Sequence, residues 1–277
     1  MRTIIHLSDL HFGRTDDGII QPLIDTVTKL APHLVVVSGD LTQRARTREF
    51  KAARRFLDAL PQPQLVVPGN HDVPLYDVFS RFIRPLDKYR RYISANVNPT
   101  YEDREIAVVG VNTARSLTFK DGRINNVQIA AIREKLCGVD NHVVKIIVTH
   151  HPFDLPAHYH ESELVGRAHL AMNTLADCGA DLLLAGHLHM SHSGNTEARY
   201  GMTDYAALVV QAGTATSTRG RGETNSFNVL HISTACIAID RYGWMPESKI
   251  FKLAKTETFV SISDDKKNRK PRWALKK

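Results

Sequence analysis

The chain predicts an α/β fold with a β-rich last third. Three observations carry this. From residue 3 to residue 184, short β-branched and aliphatic runs alternate with segments of helical periodicity. After His189 that periodicity is lost. Five short polar motifs each close an apolar run: Asp9-Leu10-His11, Gly39-Asp40, Gly69-Asn70-His71-Asp72, His150-His151 and Gly186-His187-Leu188-His189.

The elements follow in order. Residues 3–8 read as a short buried strand. Residues 18–31 space Ile19, Ile20, Leu23, Ile24, Val27 and Leu30 as one face of a helix. Residues 34–38 form a continuous β-branched run, as expected for a strand covered on both faces. A second helix spans 44–60, with Phe50, Ala53, Phe56, Leu57 and Leu60 on one side, and Leu65-Val66-Val67 is the next strand. This order is that of linked right-handed βαβ units. Residues 75–95, rich in aromatics and arginine, predict a helix. Ile106–Val111 predicts a strand, Asn125–Leu136 a helix, Val143–Val148 a strand, 162–178 a helix and Asp181–Leu184 a strand. Segments 205–212, 226–233 and 235–241 are strands separated by Gly, Asn or Ser-Thr turns, read as a meander closing a second sheet against the first.

Bulk properties narrow the class. At 277 residues, 43% hydrophobic and 23% charged, the chain suits one large domain with an appendage. The expected division is a domain over 1–254 and a mobile basic tail over 255–277. Residues 264–277 hold seven basic and two acidic residues, net +5 of the total +7, which leaves only +2 for the body. So weak a charge does not favour nucleic acid as the partner. No signal peptide and no stretch of the roughly 18 apolar residues needed to span a bilayer is visible. Cys137, Cys178 and Cys236 are far apart and odd in number, which predicts reduced, buried thiols and a cytoplasmic location.

The motifs carry the chemistry. Asp9 and His11 lie two apart at a strand end, where alternate side chains share a face, and the same spacing relates His187 and His189. Gly39 before Asp40 and Gly69 before Asn70 permit tight turns or close backbone approach. His150 ends a strand as a candidate nitrogen ligand. In an α/β sheet, ligands bind outside the carboxyl ends of the strands, so motifs scattered over 180 residues can meet at one site. Aspartate, asparagine and histidine in these numbers suffice for two metal ions, and two-metal sites most often hydrolyse phosphate esters. Oxygen and imidazole donors suit Mn, Fe, Zn or Co, with Mn or a mixed Fe/Mn pair preferred here.

The ordered set DxH, GD, GNHD, H, GHxH resembles the calcineurin-like metallophosphoesterase superfamily, from residue 3 to about residue 233. The resemblance implies a four-layer αββα sandwich, two mixed β-sheets flanked by helices, with a dimetal centre at one edge. It implies one metal on Asp9, His11, Asp40 and His189, and the other on Asp40, Asn70, His150 and His187. His71 becomes the catalytic histidine near the leaving-group oxygen, with in-line attack on phosphorus by a hydroxide bridging the metals. Asp72 either orients that loop or His71, or caps the turn. Protein phosphatases of the superfamily carry GDxxDRG, whose second aspartate orients the histidine. Here that position is Gln43, which argues against a protein phosphatase.

Leu7–His11, Gly39–Thr42, Thr149–Pro152, Gly186–His189, Gly213–Ser217 and Asn228–Leu230 are most similar to the bacterial class III cyclic-nucleotide phosphodiesterases. That resemblance implies a small phosphodiester substrate, with a 3′,5′-cyclic nucleotide first, and is compatible with a homodimer. A phosphomonoesterase or nuclease on the same centre is the alternative. A non-catalytic scaffold ranks last because every expected ligand is present. Candidate substrate contacts are His151, His158 and Arg219; His192 is placed at the site edge or the surface.

Overall fold

Strand and helix propensities are realised through burial. The structure, a computed structural model, describes residues 1–117, 120–156, 159–219, 222–262 and 270–276. In the first half, β1 (Arg2–Leu7), α1 (Asp17–Leu30), β2 (Leu34–Val37), α2 (Thr47–Ala59) and β3 (Gln64–Val66) follow the expected alternation. They are followed by α3 (Val78–Ile83), α4 (Asp87–Tyr92), β4 (Thr100–Glu102) and β5 (Ile106–Gly110). Next come α5 (Asn126–Leu136), β6 (Val144–Val148), α6 (Ala168–Cys178) and β7 (Leu182–Ala185). The remainder is β8 (His192–Asn195), α7 (Glu197–Tyr200), β9 (Leu208–Gln211), β10 (Ser226–Ile232), β11 (Cys236–Met245), β12 (Ile250–Ser261) and β13 (Trp273–Leu275).

Two mixed sheets result, ordered β13-β12-β11-β10-β1-β2-β3 and β4-β5-β6-β7-β9-β8. Their facing sides interlock through Ile4, Val36, Leu65, Val108, Ile146, Leu184 and Val210. The alternate residues point the other way. Ile5, Leu7, Val35 and Val37 meet α1, α2 and α4, while Val109, Ile147, Leu183 and Val209 meet α5 and α6. The apolar runs are continuous because both faces of each strand are buried. Each fully buried aliphatic side chain contributes roughly 1.5–3 kcal/mol. The expected αββα sandwich is thus present.

Several details differ from the sequence reading. The helix expected over 75–95 is broken into α3 and α4 around Pro85, whose ring cannot continue a helix. The helix expected from 162 starts at Ala168, because Arg167 takes a left-handed conformation (φ 66°) after a 3₁₀ turn at Glu161–Glu163. Of the terminal meander only the 205–212 segment, as β9, joins the second sheet. β10 pairs antiparallel with β1 and extends the first sheet, while the second is built on the central strands β5, β6, β7 and β9. The division at 254 falls inside β12, which runs to Ser261, and β13 pairs with it, burying Trp273. Residues 255–261 and 273–275 are therefore sheet and not tail. The expectation of three reduced thiols also fails: Cys137 and Cys178, at the ends of α5 and α6, form a disulfide, and Cys236 is free. No helix among the described residues is long and apolar enough to cross a membrane.

Candidate active site

The parallel strands of both sheets end at one common edge, and all five motifs lie there. Asp9 follows β1, Asp40 follows β2, Asn70 follows β3, His150 follows β6 and His187 follows β7. The strand-alternation argument for the paired ligands is replaced by a different geometry. Asp9 (φ 53°), His11 (φ 48°), Asp40 (φ 51°), His187 (φ 75°) and His189 (φ 57°) all adopt left-handed backbone beyond the strands. Such conformations are uncommon for residues with a Cβ and cost of order 1–3 kcal/mol each. Here the surroundings enforce them: Asp9 N–H donates to the Gly39 carbonyl (3.1 Å), and His11 N–H to the Asp40 carbonyl (2.9 Å). Thr214 and Thr216 hydroxyls donate to the Asp9 and Leu10 carbonyls at 2.7 and 2.6 Å. The Gly213–Ser217 segment thus clamps the first motif loop. Two glycines are demanded by close approach. A Cβ at Gly69 would lie 2.1 Å from Asp40 Oδ1, and one at Gly39 (φ 98°) would lie 2.7 Å from His150 Nδ1.

The side chains converge in two groups. In the first, ligand atoms of Asp9, His11, Asp40 and His189 all lie within 4.8 Å of one another, and all four residues are buried. His11 Nε2 and His189 Nε2 are 3.1 Å apart, with Asp9 Oδ1 3.2 Å from His189 Nε2 and Asp40 Oδ2 3.6 Å from His11 Nε2. Asp9 Oδ1 is buried without a well-formed hydrogen bond. Nitrogen lone pairs and carboxylate oxygens this close in a dry space attract a positive charge, which a divalent cation supplies. The second group centres on His150 Nε2: Asn70 Oδ1 lies at 3.0 Å, His187 Nδ1 at 3.3 Å and Asp40 Oδ2 at 3.4 Å. Asp40 stands between the groups and also accepts the His71 N–H at 2.8 Å. Both donor sets therefore fit metal ions.

The electrostatics agree. Burial opposes charge on Asp9 and Asp40, but the histidines around them hold both carboxyls well below the ordinary range. Burial pushes His11 and His187 down. Burial would lower His150 as well, but the charge and hydrogen bond of Asp40 raise it to about 9. His189 is likewise lowered by burial and raised, net, by Asp9.

Partners outside the ligand set fix the rings. His150 Nδ1–H donates to the Ser38 carbonyl (2.8 Å) and His189 Nδ1–H to the Arg219 carbonyl (3.2 Å), so each presents Nε2 to the centre. His187 presents Nδ1, with its Nε2 facing the Glu163 carboxylate at 3.4 Å. His71 Nδ1–H donates to the Gln43 carbonyl (2.9 Å), and Arg219 Nη1–H donates to His71 Nε2 (3.1 Å). The position that lacks an aspartate side chain thus orients His71 through its main chain. Asp72 is a loop tie: it accepts from the N–H groups of Leu41, Thr42 and Gly69 (3.2, 2.9 and 2.9 Å) and from the Thr42 hydroxyl. Burial, then repulsion from Asp40, raises its carboxyl to about 7.

His151 is corrected. It is buried, and although a ring nitrogen lies within 4.8 Å of ligand atoms of His150 and His187, its Nε2–H donates to the Lys120 carbonyl (2.7 Å) and its Nδ1 accepts from Thr113 (2.8 Å), so both nitrogens are engaged away from substrate. His158 lies outside the described residues. Arg219 does reach the centre, beside His71. His192 opens β8, paired with Gln211. The sequence reading missed Glu163 and the carbonyls of Ser38, Gln43 and Arg219. Carbonyls leave no trace in residue identity, and Glu163 is one carboxylate among many.

Residues 2–191 match the calcineurin-like phosphoesterase family model, and the chain belongs to that family. Glycerophosphodiester phosphodiesterase GpdQ from Enterobacter lignolyticus is 37% identical over 95 residues, 30% of this chain and 33% of that protein. UDP-2,3-diacylglucosamine pyrophosphatase LpxG from Chlamydia muridarum is 32% identical over 76 residues, 26% of this chain and 23% of that protein. These alignments span a third or less of the curated relatives. Over nearly the whole chain the fold is similar to a dimetal phosphatase from Danio rerio (TM-score 0.66, 13% identity, 94% of this chain and 98% of that one). It is also similar to PhoD (TM-score 0.71, 10% identity, 98% and 71%).

Proposed function

We propose that this protein hydrolyses a phosphoric diester with the help of two divalent metal ions. The observation that carries the reading is the convergence of seven ligand side chains into two groups sharing Asp40, with His71 and Arg219 beside them. Asp9, His11, Asp40 and His189 would hold one cation, and Asp40, Asn70, His150 and His187 the other. Bound there, the pair polarises the phosphoryl oxygens and lowers the pKa of water. Mn or an Fe/Mn pair is our preferred occupant, since the donors are imidazole, carboxylate and amide oxygen.

The remaining work falls to the chain's own groups. His71 has one nitrogen fixed on the Gln43 carbonyl, so Nε2 is the atom that faces the leaving oxygen: it accepts from Arg219 before substrate binds, and once Arg219 turns to the phosphoryl oxygens it takes up a proton from solvent and passes it to that oxygen. Arg219 supplies N–H donors for non-bridging phosphoryl oxygens and holds His71 in place until substrate arrives. The five left-handed residues keep the ligands pointed inward before substrate binds, which is pre-organisation. Two relatives named as a phosphodiesterase and a pyrophosphatase support a phosphorus atom substituted on two of its oxygens, as a diester or an anhydride, over a monoester. A small diester, with 3′,5′-cyclic nucleotide first in line, is the substrate we put forward.

Protein loaded with Mn²⁺ is expected to cleave bis-p-nitrophenyl phosphate in preference to p-nitrophenyl phosphate, and EDTA to stop it. His71→Ala should retain both metals by elemental analysis while kcat falls about 10²–10⁴-fold. Unchanged turnover in that variant would remove His71 from the reaction. A monoester preference would overturn the diester reading. A panel of cyclic nucleotides, glycerophosphodiesters and pyrophosphate-linked compounds then ranks the natural classes.

A further inference from the structure

The helix α3 is built inside out. Its one buried residue is Arg81, while Val78, Phe79, Phe82 and Ile83 are 62%, 72%, 51% and 63% exposed. Tyr76, just before it, is 72% exposed. An amphipathic helix on a folded core normally does the reverse. The inversion is held in place: Arg81 Nη1–H donates to the Pro74 carbonyl (2.9 Å) and its Nε–H to the Ser116 carbonyl (2.7 Å). The second bond brings α3 beside Leu117, itself 83% exposed. Six large apolar side chains thus stand outward in one neighbourhood, a concentration that marks an interaction surface.

Charge and position say what it meets. Residues 76–92 contain five basic residues (Arg81, Arg84, Lys88, Arg90 and Arg91) against Asp77 and Asp87. Arg84, Arg90 and Arg91 are exposed. Aromatic and aliphatic side chains beside exposed cations are the composition of segments that lie in the interface of an anionic bilayer. A second copy of the chain would bring this same positive surface against itself. The patch also adjoins the candidate active site: the Arg44 guanidinium stacks over the Tyr76 ring at 5.3 Å, and the neighbouring Gln43 carbonyl orients His71.

We propose that Tyr76 and α3 dock the protein on the surface of an anionic lipid bilayer, with the active-site mouth beside the headgroups. Val78, Phe79, Phe82 and Ile83 enter the interface, and Arg84 and its basic neighbours meet the lipid phosphates. This holds whichever phosphoester the centre cleaves.

The test is co-flotation of the full chain with vesicles of phosphatidylcholine alone or with about one third phosphatidylglycerol, at low and high salt. Binding to the anionic vesicles is expected, weakened by salt and by Arg84→Glu. The double variant Phe79→Asp/Phe82→Asp should lose at least about tenfold in partitioning. Because both side chains are exposed, it should keep its circular dichroism and its turnover of soluble bis-p-nitrophenyl phosphate. Absence of flotation, or equal flotation of wild type and double variant, overturns the proposal. So does a wild-type dimer in sedimentation equilibrium that the double variant converts to monomer, since the patch would then be a contact between copies.

Discussion

The two halves of the candidate metal centre share a carboxylate and an electrostatic pattern but differ in closure. Each half has one histidine pushed down by burial (His11, His187) and one raised by a nearby carboxylate (His189, His150). In the first half, Asp9, His11, Asp40 and His189 are all buried and tied to main chain. In the second, His150 is buried, but Asn70 and His187 are partly exposed and His187 leans on Glu163, 28% exposed, from a short 3₁₀ turn. One half is set by the sheet edge itself. The other borders solvent through Asn70 and Glu163, so a metal there is expected to exchange more readily. Closure should therefore set the order of metal affinities.

The largest effect should come from removing what the halves share. Asp40→Asn keeps an oxygen for the His71 N–H but takes a charge from both groups. Turnover is expected to fall by roughly 10²–10³-fold or more, as when a pre-organised electrostatic element is lost. Elemental analysis should find both metals depleted. Depletion of one metal alone would break the symmetry of the comparison and assign Asp40 to one half.

How much of this was legible in the sequence follows the same divide. Side chains that act as ligands were visible, because Asp, Asn and His at the ends of apolar runs are few and ordered. What aims them was not. The paired ligands face one site through left-handed backbone at Asp9, His11, His187 and His189, whereas strand alternation had been the expected cause. His71 is oriented by the carbonyl of Gln43, although the side chain there suggested that no partner was present. His151 looked available beside His150, but Thr113 and Lys120, distant in sequence, use both its nitrogens. At the level of the fold, periodicity identified helices and strands but could not assign strands to sheets. Partner choice for β10 depends on contacts with β1 more than two hundred residues away, as at Thr3 opposite His231. The disulfide escaped for the same reason, since Cys137 and Cys178 meet only once α5 and α6 are packed.

An intermediate effect should distinguish the halves directly. Glu163→Gln removes the carboxylate facing His187 Nε2 without altering the ligand. Partners of this kind are worth about 10–100-fold in metal affinity. Calorimetric titration with Mn²⁺ should show that loss in the weaker binding event only, and Glu163→Asp should restore part of it. If the tighter event weakens instead, the half containing His187 is the closed one and the comparison is inverted.

The smallest expected effect is a dependence on pH. In the metal-free protein His150 is raised to about 9, so below that value Nε2 carries a proton shared with Asp40 and Asn70. A cation must displace it, so metal binding at this half releases a proton and affinity rises with pH, by at most about tenfold per unit, levelling above about 9. The same shift stabilises the metal-free fold. That contribution is fully present below the ordinary histidine pKa and is lost as pH rises through about 9. Heat and metal thus respond to pH in opposite directions: alkaline conditions weaken the empty protein while strengthening its hold on the cation. Titrations at pH 7, in two buffers of different ionisation enthalpy, count the protons released. A count that His150→Gln leaves unchanged would show that this nitrogen is already bare before the metal arrives.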